Sequence, residues 1–473
     1  MPVMQLPTLL SDPPVTHVTQ YVARGGGSGL RRAQALGPGG TIQEVILSGL
    51  RGRGGGGFPT GRKWQSVREA AQAASDGDGT GTNRAFVVCN GAEGEPATFK
   101  DRAIIRANPY AVVEGVAIAA FAVGAERAFI GIKERFGPET DRLAAAVDEM
   151  TAEGLVGDVT IQVVLGPDAY LYGEETGLLQ VIEGEAPLPR TLPPYIHGLF
   201  ATVPTAGWSA APAGVVDVAP ASNPTVVNNV ETLGTASLVL ANGPEWHRSL
   251  GTAESPGTIV ATVVGDVLRP GVGEVPMGTP LREVIERVGG GLPAGRSVKA
   301  VMSGIANPVL TADRLGTPCS HEAMAAAGSG LGAAGFLVLD DTASMVEVAR
   351  ELSRFLYVES CGQCPACKLG TGAITERLEA LARGEAGPEA LDVVAFRLRT
   401  VTDGNRCYLP VQEQLVVSSI LQAFPDEVAE ALDGTPRPER GFRVPKLVEL
   451  AGGVATVDER QALKLPDWTY ADG

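Results

Sequence analysis

Cysteine and histidine are scarce in this chain, basic residues are outnumbered, and long apolar runs are missing. Each shortage removes a class of function. Six cysteines in 473 residues are too sparse for a disulfide scaffold, so a reducing, cytoplasmic setting is expected. Four histidines offer no Ser–His–Asp or Cys–His nucleophile and no metal-hydrolase site. Lys plus Arg number 38 against 54 Asp plus Glu, a net charge of −16. That argues against nucleic acid or an anionic membrane as partner, since both are themselves negative. No stretch of about 20 uncharged apolar residues occurs, so no membrane-inserted helix is expected. The opening MPVMQLPTLLSDPP lacks the basic and apolar regions of a signal peptide.

What remains is an ordinary globular composition, 44% hydrophobic and 19% charged, with a length that suggests about three domains. Glycine, at 61 residues, is abundant and clustered. Residues 1–40 are Pro- and Gly-rich and are expected to wrap a surface. A short helix is predicted over 41–50, capped by Thr41 with Glu44 in the capping-box position. From there to about 245, apolar strand runs (85–89, 128–132, 160–165) alternate with helical stretches (109–124, 138–152, 174–183). This pattern predicts a mostly parallel sheet covered by helices. Residues 255–340 read as a small α+β module with a helix near 280–288. Residues 344–431 read as helical, and 436–473 as a tail rich in Pro and charge.

Four of the cysteines gather near the end. Cys361, Cys364 and Cys367 form C-x2-C-x2-C, and Cys407 arrives from a separate segment. Three thiolates on one tight loop plus a fourth from elsewhere fit a [4Fe-4S] cluster, in which each iron takes one thiolate. Structural zinc on the same thiolates is the alternative left open by spacing. Cys89 and Cys319 read as core residues.

The glycine-rich stretch RGRGGGGFPTGRKW, residues 51–64, leads into a predicted helix. Consecutive glycines let backbone N–H groups close on a phosphate, and the helix adds its dipole. A flexible loop is the plainer reading. Phe58 suits stacking on a flat ring, or a staple into the core. CNGAEGEP, at 89–96, lies at the C-terminal end of a strand, where open α/β sheets bind ligands. Glu174 and Glu175 open a helix, and Asn228 and Asn229 precede another. Both pairs also read as helix-terminal residues.

Taken together and in order, RGRGGGGFPTGRKW, CNGAEGEPATFKDR, YLYGEETGLLQVIEG, PTVVNNVETL and ESCGQCPACKLGTG resemble the flavin-bearing NADH-oxidising subunit of respiratory complex I. The diaphorase subunits of NAD-linked hydrogenases and formate dehydrogenases belong to the same family. The likeness runs over roughly 40–430. It implies an α/β fold class: a Rossmann-like FMN and NAD(H) domain (41–245), a ubiquitin-like SLBB-type module (255–340), and a helical bundle carrying a [4Fe-4S] cluster (344–431). It implies that NADH gives a hydride to FMN, which sends electrons singly to the cluster and on to a partner. By motif position, Gly52, Gly54, Lys63, Asn90, Asn228, Asn229 and Thr232 would contact FMN. Glu93, Gly173 and Glu174 would line the flavin pocket. Phe58, Glu95 and Glu175 would face the nicotinamide nucleotide, the two acids as catalytic groups. Tyr195 would stack near the dinucleotide, and Cys361, Cys364, Cys367 and Cys407 would hold the cluster. A [2Fe-2S] subunit or a ferredoxin is the implied redox partner, within a hetero-oligomer that reaches a membrane only through other subunits.

Several positions depart from the family pattern. An acidic flavin contact is Ala92, a lysine near the dinucleotide is Leu192, and a stacking Phe is Tyr195. An aromatic beyond Lys63-Trp64 is Ser66, and the Cys before Gly173 is Tyr172. Cys407 is followed by YLPVQEQ in place of a leucine–glycine continuation. Because several departures fall on the nucleotide side, the sequence admits a second function, a flavin and iron–sulfur relay between protein partners with an altered nucleotide site. A third, a scaffold holding a structural metal, conflicts with retention of all five motifs.

Overall fold

The computed structural model describes residues 8–78, 84–202, 221–434 and 441–471. Residues 1–7 of the N-terminal segment and 436–440 of the expected tail lie outside the described residues. The chain forms two compact units. The first comprises 1–93, 101–168 and 172–258, and the second comprises 94–100, 169–171 and 259–473.

The first unit is built on strands β1 (Phe86–Gly91), β2 (Arg127–Lys133), β3 (Thr160–Gly166) and β4 (Thr225–Asn229). They lie in the order β3-β2-β1-β4, and all pairings are parallel. Strand order therefore reverses between β1 and β4, and ligands of open α/β sheets sit outside the carboxyl ends at such a reversal. In register, Cys89 faces Asn228 and Asn90 faces Asn229, so two of the polar motifs meet at that point. The helix Pro109–Val123 lies almost wholly in the core. Asn108 caps it by accepting from Ala111 N, and Gly124, at φ +76°, ends it in the left-handed conformation. The residue types explain its burial, since small apolar side chains on every face let neighbours approach all round.

The N-terminal reading needs correction. Residues 18–48 carry the helices Val18–Ala23 and Ser28–Ser48, the second broken at Gly37 (φ +73°) ahead of Pro38. Thr41 does not cap a new helix. Its hydroxyl donates to Ala33 O and Gly37 O across the break, and Glu44 accepts from Arg32 rather than closing a capping box. The Gly-Pro pair obscured the first half of this helix in the sequence.

The second unit contains β5 (Thr258–Gly265), β6 (Gly271–Pro276), β7 (Val298–Ser303), β8 (Leu310–Thr311) and β9 (Gly335–Asp340), in the order β6-β5-β9-β7-β8. β5 and β9 are parallel, and β7 runs antiparallel to β9 and β8. The helix Leu281–Gly289 buries Leu281, Val284, Ile285 and Val288 in the core of this module. Beyond it come the helices Met345–Glu359, Pro365–Ala382, Glu389–Thr400, Leu409–Ala423 and Pro425–Leu432.

The tail expectation is overturned as well. Leu447–Ala451 (β10) and Val454–Val457 (β11) pair as an antiparallel hairpin. Gly452 and Gly453 turn it, both at positive φ, as a two-residue turn requires. Farther on, Lys464 Nζ reaches both oxygens of Glu359 at 2.8 and 2.7 Å, a pair 4% and 1% exposed. No single helix among the described residues is long and apolar enough to cross a membrane. The adjoining helices Lys100–Ala107 and Pro109–Val123 pass only as a pair bent by 100°.

Candidate active site

The glycine loop is closed at its base. Arg51 and Pro59 form a bridge, Gly52 N donates to Phe58 O at 2.9 Å, and Thr60 N donates to Leu50 O at 2.9 Å. Gly55 and Gly57 hold φ of +116° and +59°, which side-chain-bearing residues rarely adopt. The amides of Gly54 to Gly57 meet no acceptor among the described residues. The helix Thr60–Asp78 starts immediately afterwards, and the Thr60 hydroxyl is buried without a partner. Unclaimed N–H groups, a helix N-terminus and an orphaned hydroxyl together make a cradle for a phosphate. FMN carries such a group, so these residues fit it.

The side chains named as flavin contacts build the support of this cradle. Thr232 Oγ1 accepts from Arg53 N at 2.9 Å. Asn229 Oδ1 caps the helix Val230–Asn242 through Glu231 N, and its Nδ2 donates to Asp101 Oδ2 at 2.7 Å. Asn228 Oδ1 accepts from Trp64 Nε1 at 2.7 Å. Lys63 Nζ donates to Glu175 Oε2 at 2.8 Å and to Val227 O at 2.9 Å. Arg53 is 1% exposed and donates to the carbonyls of Arg51, Pro256 and Thr258, with Glu231 at 4.0 Å. Sequence reasoning missed Arg53, Thr60 and Asp101. A single arginine inside a glycine run was the available signal for the first.

The two acidic turns meet at the end of β1. Asn90 Nδ2 donates to Gly173 O at 2.8 Å, and Asn90 Oδ1 accepts from Ala92 N. Glu93 is buried against Asp101 N and Arg102 Nε, both at 3.1 Å. Glu174 caps the helix Glu175–Ile182 through the amides of Thr176 and Gly177. Burial raises the pKa of Glu174, and those hydrogen bonds pull it back. Phe58 and Tyr195 are exposed, at 57% and 47%, as free stacking surfaces are. Ala92 and Tyr172 share one apolar cluster with Leu178, Leu199 and Val227. Tyr172 needs the bare backbone of Gly166, where a Cβ would lie 2.3 Å from its ring. The two departures from the family pattern are therefore one repacked pocket wall.

Glu95 belongs to the second unit and Glu175 to the first. Glu95, partly buried, accepts from Tyr170 Oη at 2.6 Å and from Ile305 N at 2.7 Å. Burial raises its pKa against both bonds.

In the second unit, Cys364 is the N-cap of the helix Pro365–Ala382 and Cys367 lies in its first turn. Cys407 precedes the helix Leu409–Ala423. The two loops are tied by Arg406 Nη1 donating to Gln363 Oε1 at 3.0 Å, while Gln363 Nε2 leans on Cys361 Sγ at 3.6 Å. Lys368 Nζ donates to the carbonyls of Tyr357, Ser360 and Pro466. All four thiols are unbridged. Burial, with Cys407, Cys364 and Cys361 close by, pushes Cys367 up to about 12. A buried thiol that resists ionising beside three others is what a cationic iron cluster reverses, so the donor set fits one. Among the described residues, no three His, Cys, Asp or Glu side chains converge on a single-ion site. Cys89 and Cys319 are buried, with both thiols pushed up by desolvation.

Behind these loops Glu413 is fully buried. One oxygen accepts from Ser353 Oγ at 2.6 Å, the other has no partner, and burial raises the carboxyl to about 8. The folded protein keeps this proton while the unfolded chain loses it near the ordinary carboxylate value. Stability tied to Glu413 is thus full below that value and falls as pH rises towards 8. Relative to Glu413→Gln, the wild type is expected to lose about 1 kcal/mol per pH unit between pH 5 and 8. Paired thermal melts across that range check it; parallel curves would count against a buried neutral acid.

Three family models match the chain: Nuo51 FMN-binding domain over 45–237, SLBB domain over 260–304, and the NADH-ubiquinone oxidoreductase-F iron-sulfur binding region over 347–431. An F-type subunit of NADH-quinone oxidoreductase from Rhizobium meliloti is 37% identical over 80% of this chain and 86% of its own length. The HndC subunit of an NADP-reducing hydrogenase from Solidesulfovibrio fructosivorans is 33% identical over 88% of this chain and 81% of its own. Among solved structures, an NAD+-reducing [NiFe]-hydrogenase in the H2-reduced state matches with a TM-score of 0.71 and 31% identity over 84% of this chain. The chain spans 62% of the length of that hydrogenase chain.

Proposed function

The chain belongs to the family of F-type subunits of NADH-quinone oxidoreductase, oxidoreductases with FMN and [4Fe-4S] binding regions, and from that membership we propose that it oxidises NADH and delivers the electrons singly to a partner protein. When bound, FMN accepts a hydride and the cluster accepts single electrons, so the pair links a two-electron donor to a one-electron acceptor. The protein's own part is to hold and orient. The amides of Gly54 to Gly57 would grip the phosphate, and Arg53 N, bonded to Thr232 Oγ1, keeps that loop against the helix Val230–Asn242. Phe58 and Tyr195 offer faces for aromatic rings. Glu95 and Glu175 act on the nicotinamide side, and the four thiolates hold the cluster. The single observation that carries this reading is the run of unclaimed amides beside the strand-order reversal.

The redox partner is a [2Fe-2S] subunit or a ferredoxin in a hetero-oligomer. Large apolar side chains next to the cysteine loops support docking there: Leu369 is 68% exposed and Tyr408 54%. A cytoplasmic site of action is supported by the sparseness of cysteine, six in 473 residues.

The deciding experiment is an anaerobic spectral titration of protein loaded with FMN and iron–sulfide. Stoichiometric bleaching by NADH or NADPH supports the reading and identifies the donor. Bleaching by dithionite alone, with FMN bound, would sink it and favour the relay between protein partners. A second test concerns the cradle. A Cβ at Gly56 meets nothing within 4 Å, whereas one at Gly54 comes 3.1 Å from Asn229 Cβ. Gly56→Ala is therefore expected to leave the melting temperature unchanged and weaken FMN binding by about tenfold. Unchanged FMN affinity in that variant would remove the phosphate from this loop.

A further inference from the structure

The helix Leu409–Ala423 begins in the YLPVQEQ stretch that departs from the family continuation. Gln412, in its first turn, is 5% exposed, and its Nε2 donates to Tyr170 Oη at 2.7 Å. Tyr170 Oη donates in turn to Glu95 Oε2 at 2.6 Å, and Ile305 N donates to Glu95 Oε1 at 2.7 Å. A phenol has one hydrogen to give. With the Gln412 amide donating into its oxygen, that hydrogen is directed to Glu95. The chain of donors has one sense, from Gln412 through Tyr170 to the carboxylate, and such chains polarise each other cooperatively. The rest of the seat is equally specific. The Tyr170 ring meets Phe355 edge-on at 5.3 Å, Tyr170 N donates to Glu359 Oε2, and a Cβ at Gly304 would lie 2.4 Å from Glu95 Oε1. Burial holds the Tyr170 phenol well above its ordinary pKa, so it stays a donor.

We propose that Gln412 is a positioning residue for electron entry, fixing the orientation of the Glu95 carboxylate through Tyr170. The inference rests on the reading of Glu95 as facing the nicotinamide nucleotide. Stopped-flow reduction of the full-length, cofactor-loaded protein by NADH tests it. Gln412→Leu is expected to slow flavin reduction at saturating NADH about tenfold, with Kd for NADH within about twofold and the reduced-cluster EPR spectrum unchanged. Gln412→Glu keeps the shape but replaces the donor, and gives the same slowing should the leucine variant not fold. In a Tyr170→Phe background Gln412→Leu adds nothing, the non-additivity that residues in one chain show. A slow Glu95→Gln beside wild-type rates in both Gln412 variants overturns the coupling alone. Wild-type rates in Glu95→Gln as well overturn the reading of Glu95 and the coupling with it. Additive losses in the Tyr170→Phe background also overturn the coupling, since a purely structural role predicts them.

Discussion

Cys364→Ser is expected to abolish the EPR signal of the reduced cluster and to cut electron delivery to a one-electron protein acceptor to background. Flavin reduction by NADH should persist. The split follows from where the supports lie. Cys364 caps the helix Pro365–Ala382 and stands on a loop held by Gln363, Arg406 and Lys368. The glycine loop is held by Arg53 and Thr232, both in the other unit. A hydroxyl is a poor replacement for a thiolate on iron, because soft ligands select such clusters. Cys319→Ala, a change in the core of the SLBB-type module, is the control and should keep the signal. Full cluster occupancy in Cys364→Ser would remove that residue from the ligand set.

Arg53→Ala is the second large effect. The guanidinium is 1% exposed, as is Glu231, and it satisfies three backbone carbonyls besides facing that carboxylate. Removing one member of such a pair costs about 3–5 kcal/mol, because the remaining charge stays buried without it. A fall in melting temperature on the order of 10 °C is expected, together with loss of FMN, since Arg53 N also anchors the loop to Thr232. Arg53→Lys should recover only part, as an ammonium lacks the planar fork. A melting temperature within about 2 °C of wild type would show the pair to be dispensable.

The strand run 85–89 was legible because buried parallel strands are near-continuously apolar, and 160–165 because its β-branched residues mark a strand even at the exposed edge of the sheet. The cysteine set was legible because its spacing is local. The cradle's supports were not, since their meaning depends on remote partners: Arg53 on Thr232 and Asp101 on Asn229. The hairpin at 447–457 was hidden by surrounding proline and charge, and the helix Ser28–Ser48 by its internal Gly-Pro break. Motif positions pointed to Thr232 and Asn229, which lie against the loop. They did not reveal that Thr232 anchors the loop through Arg53 N, or that Asn90 and Asn229 spend their amides on Gly173 O, Asp101 and Glu231 N within the protein.

The pairing of Lys464 with Glu359, and the bond from Lys368 to Pro466 O, set an order of assembly. Residues 464–466 leave the ribosome after all four cysteines. The bonds that Lys464 makes to Glu359, and Lys368 to Pro466 O, can therefore form only once the whole cysteine set has been synthesised, and they close the C-terminal end of the chain onto the helices Met345–Glu359 and Pro365–Ala382.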